Sequence, residues 1–294
     1  MQYVITGSLG HTGKPITEGL VAAGHTVTVI TSKPENAPAI EALGATAAVG
    51  SVEDTAFVAQ AFAGADAVYL MIPPKWGVSG WRAYQNEVAD NYIAAITAND
   101  IRFVVLLSSV GAHIGNGVGP VDGLYDAEQK LRAVAGLNTL TLRPPYFMYN
   151  LFAMIGMAKG MGIMGSNFGE GPIALAHTAD IAEAALQQLL NLDFTGFRVR
   201  YIASDERTGA EIAAVLGAAV GIEIPWVVFS DEQNTQGMLG VGLNEEMATE
   251  YTKLGQAMRT GIMQADYLAN RPATLGKVKL EDFAKNEFAP AFNN

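Results

Sequence analysis

The chain lacks cysteine altogether, which excludes disulfide bonds, thiolate metal centres and cysteine nucleophiles. Histidine is scarce as well, and the four that occur show no metal-ligand spacing: His11, His25, His113 and His177. The sequence therefore predicts no metal centre, so chemistry has to come from other side chains or from an organic cofactor.

Positive charge is also scarce. Lys and Arg number 18 against 29 Asp and Glu, which leaves a formal net charge of −11. A surface of that sign repels nucleic acid and anionic lipid, so direct binding to DNA or to a membrane is not expected. No apolar run reaches the roughly 18 residues that span a bilayer. A strand pattern begins at Tyr3, so no signal peptide is expected and we predict a cytoplasmic protein.

What the chain does contain is a series of short apolar segments with helical patterns between them. Seven segments are predicted to be strands: Tyr3–Ile5, Thr26–Ile30, Ala45–Val49, Ala67–Ile72, Arg102–Leu107, Leu137–Leu142 and Arg198–Ala203. Apolar strands that alternate with helices indicate a parallel sheet covered on both faces. The predicted fold class is α/β, a Rossmann-type doubly wound sheet in residues 1–204, with a smaller C-terminal α/β substrate domain in residues 205–294.

Several helices can be placed from their apolar stripes and caps. The longest is predicted at 81–98, where an apolar stripe that includes Trp81 and Tyr92 is either core or a dimer face. Helices are also predicted at 124–135, at 179–190 with Thr178 as N-cap, and at 208–220. The last of these begins with a capping box of Thr208 and Glu211. A final short helix is predicted at 276–285.

The most informative motif follows the first strand. Gly7, Gly10 and Gly13 stand at three-residue spacing between that strand and a helical pattern. Such a turn lets a pyrophosphate approach the backbone, where free N–H groups at the helix start hold it. We predict that the whole turn binds a dinucleotide through Gly7, Ser8, Leu9, Gly10, His11, Thr12 and Gly13. A structural turn without a ligand is the alternative.

The tip of the second strand bears on which dinucleotide is bound. An acidic residue there favours NAD, whereas a basic one favours the 2′-phosphate of NADP. Here the strand ends in Thr31, Ser32 and Lys33, with no acid at the tip. The sequence therefore favours NADP(H) over NAD(H). The alternative is that Lys33 is a solvated surface lysine whose field Glu35 weakens.

Further site residues are predicted where other strands end, because ligands of open α/β sheets bind beyond the carboxyl ends of the strands. Ile72, Pro73 and Ser108 are assigned to the cofactor side. Ser109 is a candidate catalytic hydroxyl that polarises a carbonyl, or simply a loop cap. Tyr125 is a candidate proton donor, although packing at a helix start explains it equally well.

Residues 146–172 form a candidate substrate-side segment. It is rich in methionine, a flexible residue that fills irregular apolar space. Either it forms a mobile wall over an apolar ligand, or it is ordinary core filling. On the first interpretation the substrate pocket contains Tyr146, Phe147, Asn150 and Met154.

These motifs together make the chain similar to the NmrA-like branch of the atypical short-chain dehydrogenase/reductases, near its quinone oxidoreductases. The likeness covers essentially the whole chain: the glycine turn, Lys33, the helix around Glu128, the Leu142-Arg143-Pro144 strand end, Asp180 and the closing Leu280–Phe283. It implies a Rossmann fold that binds NADP(H) and often reduces quinones or small carbonyl compounds. The small-molecule substrate is then expected to be apolar.

The sequence also departs from that family. Ser51 replaces an aspartate after the third strand, and the Tyr-x-x-x-Lys pair of the wider superfamily is missing. Either Tyr125 has taken over proton donation, or acid catalysis is not required. The missing pair also raises an alternative to an enzyme: a non-catalytic NAD(P) redox sensor that acts through a protein partner. A homodimer is possible in either case.

Overall fold

A seven-stranded, wholly parallel sheet forms the centre of the protein. The computed structural model describes all residues from Met1 to Asn294. The strands lie in the order β7-β6-β5-β4-β1-β2-β3, and all neighbours are parallel. Their bounds are β1 Gln2–Ile5, β2 Thr26–Thr31, β3 Thr46–Val49, β4 Ala67–Leu70, β5 Phe103–Leu107, β6 Asn138–Arg143 and β7 Phe197–Tyr201. This confirms the predicted doubly wound fold, with strand ends shifted by a few residues.

Helices cover both faces of this sheet. Those of the first 191 residues are α1 Gly13–Ala22, α2 Ala37–Ala42, α3 Thr55–Ala61, α4 Trp81–Ala98, α5 Asp122–Ala133, α6 Ile155–Met161 and α7 Thr178–Asn191. One apolar cluster joins the sheet to α1 and α7, and another joins its opposite face to α3, α4 and α5. Tyr92 and most of the α4 stripe lie inside the second cluster, and Trp81 is buried as well, so the interpretation of the stripe as core is confirmed.

The C-terminal residues are mainly helical. The remaining helices are α8 Gly209–Val220, α9 Asp231–Gly240, α10 Glu245–Arg259, α11 Ala265–Ala269, α12 Leu280–Phe283 and α13 Ala289–Asn293, the last two joined by a π-helical turn at Ala284–Phe288. Short 3₁₀ segments lie at Pro34–Asn36, Gly119–Val121 and Met148–Met154. No helix is long and apolar enough to cross a membrane.

Five further short strands form two small sheets above the carboxyl edge. Tyr146–Phe147 pairs with Ile173–Ala176, which pairs in turn with Asp205–Arg207. Met164–Ser166 pairs with Trp226–Val228. A third apolar cluster unites the 148–175 segment with residues 203–288. Residues on both sides of position 204 contribute to this cluster. The domain boundary at residue 204 stays a prediction.

Two helix starts differ in how well the sequence predicted them. The capping box of Thr208 and Glu211 is present at α8. The prediction of Thr178 as the N-cap of α7 is wrong: the cap is His177, whose Nδ1 accepts the Ala179 N–H at 3.1 Å. The His177 Nε2 lies 2.6 Å from Glu287, so the cap also joins the π-helical turn near the C-terminus to the start of α7.

Candidate cofactor and substrate site

The glycine turn between β1 and α1 presents a row of unpaired backbone donors. The Ser8 N–H is bound to the Ile30 carbonyl of β2 at 3.0 Å, which ties the turn to the sheet. The next five backbone N–H groups, from Leu9 to Gly13, have no hydrogen-bond acceptor within the chain. They lie at the positive end of the α1 dipole. Such a cluster of donors is a binding site for an anion, above all for phosphate.

The turn also requires glycine sterically. A Cβ at Gly13 would lie 2.3 Å from the Ser8 carbonyl oxygen, and one at Gly7 would lie 2.6 Å from Met71. Gly7 moreover has a φ of +90°. Gly10 is exposed and a Cβ there would meet only the Gly7 carbonyl, at 3.2 Å, so its missing side chain leaves the backbone open to a ligand. The turn therefore fits the pyrophosphate of a dinucleotide.

The side chains of this turn do not all face the same way. The Thr12 hydroxyl accepts a hydrogen bond from the buried Tyr69 hydroxyl at 3.2 Å, so Thr12 offers its backbone rather than its side chain to a ligand. His11 is exposed, and its ring lies 4.1 Å from the ring of Tyr149. The 3₁₀ segment that carries Tyr149 and the exposed Asn150 therefore reaches the glycine turn.

A compact polar cluster forms at the tip of β2. The Ser8 hydroxyl donates to the Thr31 hydroxyl at 3.1 Å, and the Asn36 amide donates to both, at 3.1 and 3.2 Å. Ser32 and Lys33 follow and are exposed. Lys33 takes part in no ion pair, so its ammonium is available to a phosphate beside the cluster. Asn36 was not predicted as a site residue, because only the fold brings it to Ser8.

The end of β4 closes the other side of the turn. Met71 packs where a Gly7 side chain would be, and its carbonyl accepts the Tyr92 hydroxyl at 2.9 Å. Ile72 and Pro73 are half-buried beside it, and the Pro73 carbonyl accepts the Tyr84 hydroxyl at 2.9 Å. Helix α4 thereby fixes the start of the loop that follows β4.

A buried ionic network lies at the ends of β5 and β6. The Ser108 hydroxyl donates to Glu128 on α5 at 2.6 Å. Glu128 also receives two hydrogen bonds from Arg143, at 3.0 and 2.5 Å, and both side chains are almost fully buried. Burial opposes the charge of Arg143, but the hydrogen bonds and charge of Glu128 outweigh it and raise the pKa of Arg143. Ser108 is thus turned toward α5 and bound there.

The same network reaches the C-terminal residues. The Arg143 Nη1 donates to the Tyr201 hydroxyl and to Asp266, both at 3.0 Å. Tyr201 also donates to Asp266. Burial is the main cause that raises the pKa of Tyr201 to about 12. Arg143 therefore joins β6, β7, α5 and α11 at the carboxyl edge of the sheet.

The candidate catalytic residues lie on and beside the loop that follows β5. The Ser109 hydroxyl donates to the Val110 carbonyl at 2.9 Å and is half-buried. The ring of Tyr125 packs against Gly115 of this loop. Lys130 does not approach Tyr125, because its ammonium binds Asp90 of α4 at 2.6 Å. The superfamily's Tyr/Lys arrangement is therefore absent from the structure as well as from the sequence.

His113 on the same loop was not predicted to belong to the site. Its Nδ1 is buried without a hydrogen-bond partner. Burial is the main cause that lowers the pKa of His113, with Arg143 acting in the same direction and Asp266 and Glu128 opposing it. The lowered pKa favours the neutral form of His113 at neutral pH.

The substrate-side segment divides into buried and half-buried residues. Met154 is buried, as are Met148 and Met164 of the same segment, and all three belong to the third apolar cluster. For these methionines the core interpretation is confirmed. Tyr146 and Phe147 are half-buried. The Tyr146 ring meets Phe168 edge-on with 5.3 Å between centroids. Tyr251 of α10 packs against the same apolar cluster as Tyr146 and was not predicted.

A family model described as NAD(P)H-binding matches residues 7–191, a range that contains the glycine turn, the tip of β2 and the serines after β5. The chain belongs to the NAD(P)H-binding family. Its Rossmann fold, as the sequence predicted, is shared with solved structures of an NADPH-dependent quinone oxidoreductase and of NmrA.

Curated relatives of this NAD(P)H-binding protein are reductases. The NAD(P)H azoreductase of Xenophilus azovorans is 24% identical over 277 residues, which cover 94% of this chain and 92% of the relative. Quinone oxidoreductase 2 of Escherichia coli is 27% identical over 247 residues, covering 83% of both chains.

Solved structures share the fold over nearly the whole length. The NADPH-dependent quinone oxidoreductase of Escherichia coli superposes with a TM-score of 0.79 at 23% identity, covering 97% of this chain and 99% of its own. The triphenylmethane reductase of Citrobacter gives 0.79 at 17% identity, with the same coverage. NmrA, a negative transcriptional regulator in complex with NAD, gives 0.76 at 14% identity, covering 99% of this chain and 96% of its own.

Proposed function

We propose that the protein is an NADPH-dependent oxidoreductase that reduces a quinone or a related apolar carbonyl compound. The assignment of a dinucleotide cofactor rests on the row of five unpaired N–H groups from Leu9 to Gly13. The assignment of the substrate class is supported by the named activities of the two curated relatives. Ile72 and Pro73, at the end of β4, border the same turn and are assigned to the cofactor side.

The reaction consumes one NADPH, one proton and one quinone, and yields NADP⁺ and one hydroquinone. When bound, the reduced nicotinamide supplies a hydride, which carries two electrons and one of the two hydrogens. Tyr125 supplies the remaining proton, and the Ser109 hydroxyl turns from the Val110 carbonyl to the substrate oxygen. The Ser108–Glu128–Arg143 network holds the loop that carries Ser109.

Removal of the Tyr125 hydroxyl should slow turnover moderately. We expect Tyr125→Phe to lower kcat for quinones about tenfold, less than the usual effect of a general acid, because a quinone needs little proton assistance. NADPH oxidation is followed with a panel of benzoquinones, naphthoquinones and aldehydes, and the Kd of NADPH is measured beside it. An unchanged kcat in the variant would remove Tyr125 from the mechanism. A wild-type protein that binds NADPH but reduces no member of the panel would overturn the reductase itself.

Lys33 should set the preference between the two dinucleotides. Lys33 adjoins the Ser8–Thr31–Asn36 cluster, since its backbone N–H donates to the Thr31 hydroxyl at 3.2 Å. A 2′-phosphate is expected there, and one charge-assisted contact with the ammonium is worth about 1.5 to 3 kcal/mol. We expect Lys33→Glu to weaken NADPH binding at least tenfold and to leave NADH binding within about twofold. Arg102→Glu is the control for the charge reversal, since Arg102 is exposed just before β5, at the amino edge of the sheet and so opposite the proposed site. A wild-type preference for NADH would contradict the assignment.

A regulatory alternative is favoured by one observation, the attachment of Lys130 to Asp90 rather than near Tyr125. Without the Tyr/Lys pair the bound dinucleotide can be sensed rather than consumed, and the fold is shared with the regulator NmrA. A sensor has to respond differently to NADP⁺ and NADPH in its oligomeric state or partner binding. Identical sedimentation and pull-down behaviour with both forms argues against it.

A further inference from the structure

An exposed tryptophan lies on the loop between β4 and α4. The Trp76 side chain is 62% exposed, and its ring is nearly parallel to that of Tyr251 on α10, with 6.1 Å between centroids and an angle of 18°. The ring of the buried Trp81 lies at the same centroid distance from Trp76, tilted by 41°. Trp76, Trp81 and Tyr251 are called the aromatic platform below. The platform holds one flat ring in place while much of its surface stays open to a ligand.

The loop that carries Trp76 is fixed at both ends. Its start is bound by the Tyr84 hydroxyl of α4. At its end, the Glu246 carboxylate of α10 accepts the backbone N–H groups of Gly80 and Trp81 at 2.7 and 2.8 Å. A ring that is already held in position loses little conformational freedom when a ligand stacks on it, so more of the contact energy appears as affinity.

The aromatic platform borders the proposed reaction site. The loop begins where β4 ends beside the glycine turn. Arg82 follows Trp81 directly, and its guanidinium donates to the Gly115 carbonyl at 2.9 Å. The ring of Tyr125, the candidate proton donor, packs against the same Gly115. The platform and Tyr125 are therefore joined through Arg82 and Gly115.

The charge beside the platform is negative. The cations of the loop and of the platform's two helices each pair with a carboxylate at 2.6 to 2.9 Å: Lys75, Arg82, Lys253 and Arg259. Glu246 takes part in no ion pair, although it binds the backbone of Trp81 itself. The chain as a whole carries a formal charge of −11, which acts in the same direction. An anionic ligand is repelled at such a place, whereas a neutral aromatic ligand is not.

We propose that Trp76 determines the substrate specificity by stacking against a planar aromatic ring system, and that Glu246 disfavours ring systems that carry negative charge. The proposal deepens the reductase assignment and rests on it for the redox chemistry of the substrate. The substrate class is then an uncharged fused-ring quinone or aromatic carbonyl compound rather than a sulfonated one. Fused rings are favoured because they cover more of the open Trp76 surface than a single ring does.

The test measures binding without turnover. Menadione and 1,4-naphthoquinone-2-sulfonate share one ring system and differ in a methyl group against a sulfonate. Each is titrated by calorimetry into the protein saturated with NADP⁺, which has no hydride to transfer. The absence of cysteine prevents addition of a thiol to the quinone ring. We expect the wild-type protein to bind menadione about tenfold more tightly than the sulfonate.

Two variants separate stacking from charge. Trp76→Ala should weaken the binding of both ligands about tenfold, with a smaller loss in Trp76→Phe, which keeps an aromatic ring. Glu246→Gln should reduce the preference for menadione over the sulfonate about threefold or more. The Kd of NADP⁺ and the urea unfolding of each variant show whether the fold is intact.

The chain offers a control for each variant. Leu190→Ala removes an apolar side chain that is 40% exposed at the end of α7, where the neighbouring Leu189 carbonyl binds Tyr3 at the opposite edge of the sheet. Glu245→Gln removes the charge next to Glu246, but Glu245 makes no hydrogen bond to the loop. Neither control should change the Kd of menadione or the ratio of the two Kd values by more than about twofold.

The outcomes distinguish the parts of the proposal. A menadione Kd in Trp76→Ala within about twofold of wild type would overturn the stacking role. Equal Kd values for the two ligands in the wild type, or an unchanged ratio in Glu246→Gln, would overturn the discrimination against anions. Trp76-dependent menadione binding in a protein that consumes no NADPH would keep the site and overturn only the reductase assignment.

Discussion

Gly10→Val should weaken NADPH binding at least 100-fold while the free energy of unfolding changes by less than about 1 kcal/mol. The five N–H groups from Leu9 to Gly13 can reach phosphate oxygens only if nothing stands over the turn. Valine at position 10 places two methyl groups there. Hydrogen bonds to a charged group contribute about 1.5 to 3 kcal/mol each. The loss of two of them therefore lowers the affinity roughly 10²- to 10⁴-fold.

The fold should tolerate this change. Gly10 does not adopt a positive φ, and a Cβ there meets only the Gly7 carbonyl, at 3.2 Å. Gly237→Val is the matched control, since Gly237 is an exposed residue of α9 with nothing near its Cβ position. Isothermal titration with NADPH measures the change in affinity, and urea unfolding measures the change in the free energy of unfolding. Undiminished NADPH binding in Gly10→Val would show that the phosphates do not bind at this turn.

The sequence was sufficient for this part of the site because its information is local. Gly7, Gly10 and Gly13 lie within seven residues, and the strand and helix they join are short periodic patterns. The same holds for the seven strands of the sheet and for the capping box at Thr208. Each of these features is determined by residues that are close to one another in the sequence.

The substrate side depends instead on contacts between distant residues. Tyr251 of α10 meets Trp76, and Asp266 of α11 meets Arg143, only when the C-terminal helices pack over the carboxyl edge of the sheet. No spacing in the sequence encodes either meeting. The position of His177 as a cap was missed for another reason: a ring nitrogen replaces the usual hydroxyl or carboxylate oxygen.

Two of the longer helices, α9 and α10, were missed although local signals were present. Met247, Leu254 and Met258 recur on one face of α10 at helical spacing, and all three are buried. Helix α9 has no such apolar stripe, but it begins with a capping box of Ser230 and Gln233. A search for caps independent of apolar periodicity would have found it.

The second large effect is expected at the buried ion pair. Arg143→Met should lower the free energy of unfolding by about 3 to 5 kcal/mol, because it leaves the Glu128 carboxylate buried with only Ser108 as a partner. Removal of both charges in Glu128→Gln/Arg143→Met should recover most of that loss, since the Ser108 hydroxyl retains an acceptor. Urea unfolding at constant m-value measures each variant.

The chain supplies a matched exposed pair for comparison. Arg271 binds Glu206 through two hydrogen bonds, at 2.7 and 2.9 Å, yet its side chain is 44% exposed. Exposed pairs contribute about 0 to 1 kcal/mol, so Arg271→Met should change the stability little. Both arginines make a two-point contact with a glutamate, so the comparison controls for that contact. Arg143 also binds Tyr201 and Asp266, and the double variant separates the loss of those bonds from the cost of the buried charge. Equal losses in Arg143→Met and Arg271→Met, or a double variant no more stable than Arg143→Met, would show that the cost at Arg143 does not come from an uncompensated buried charge.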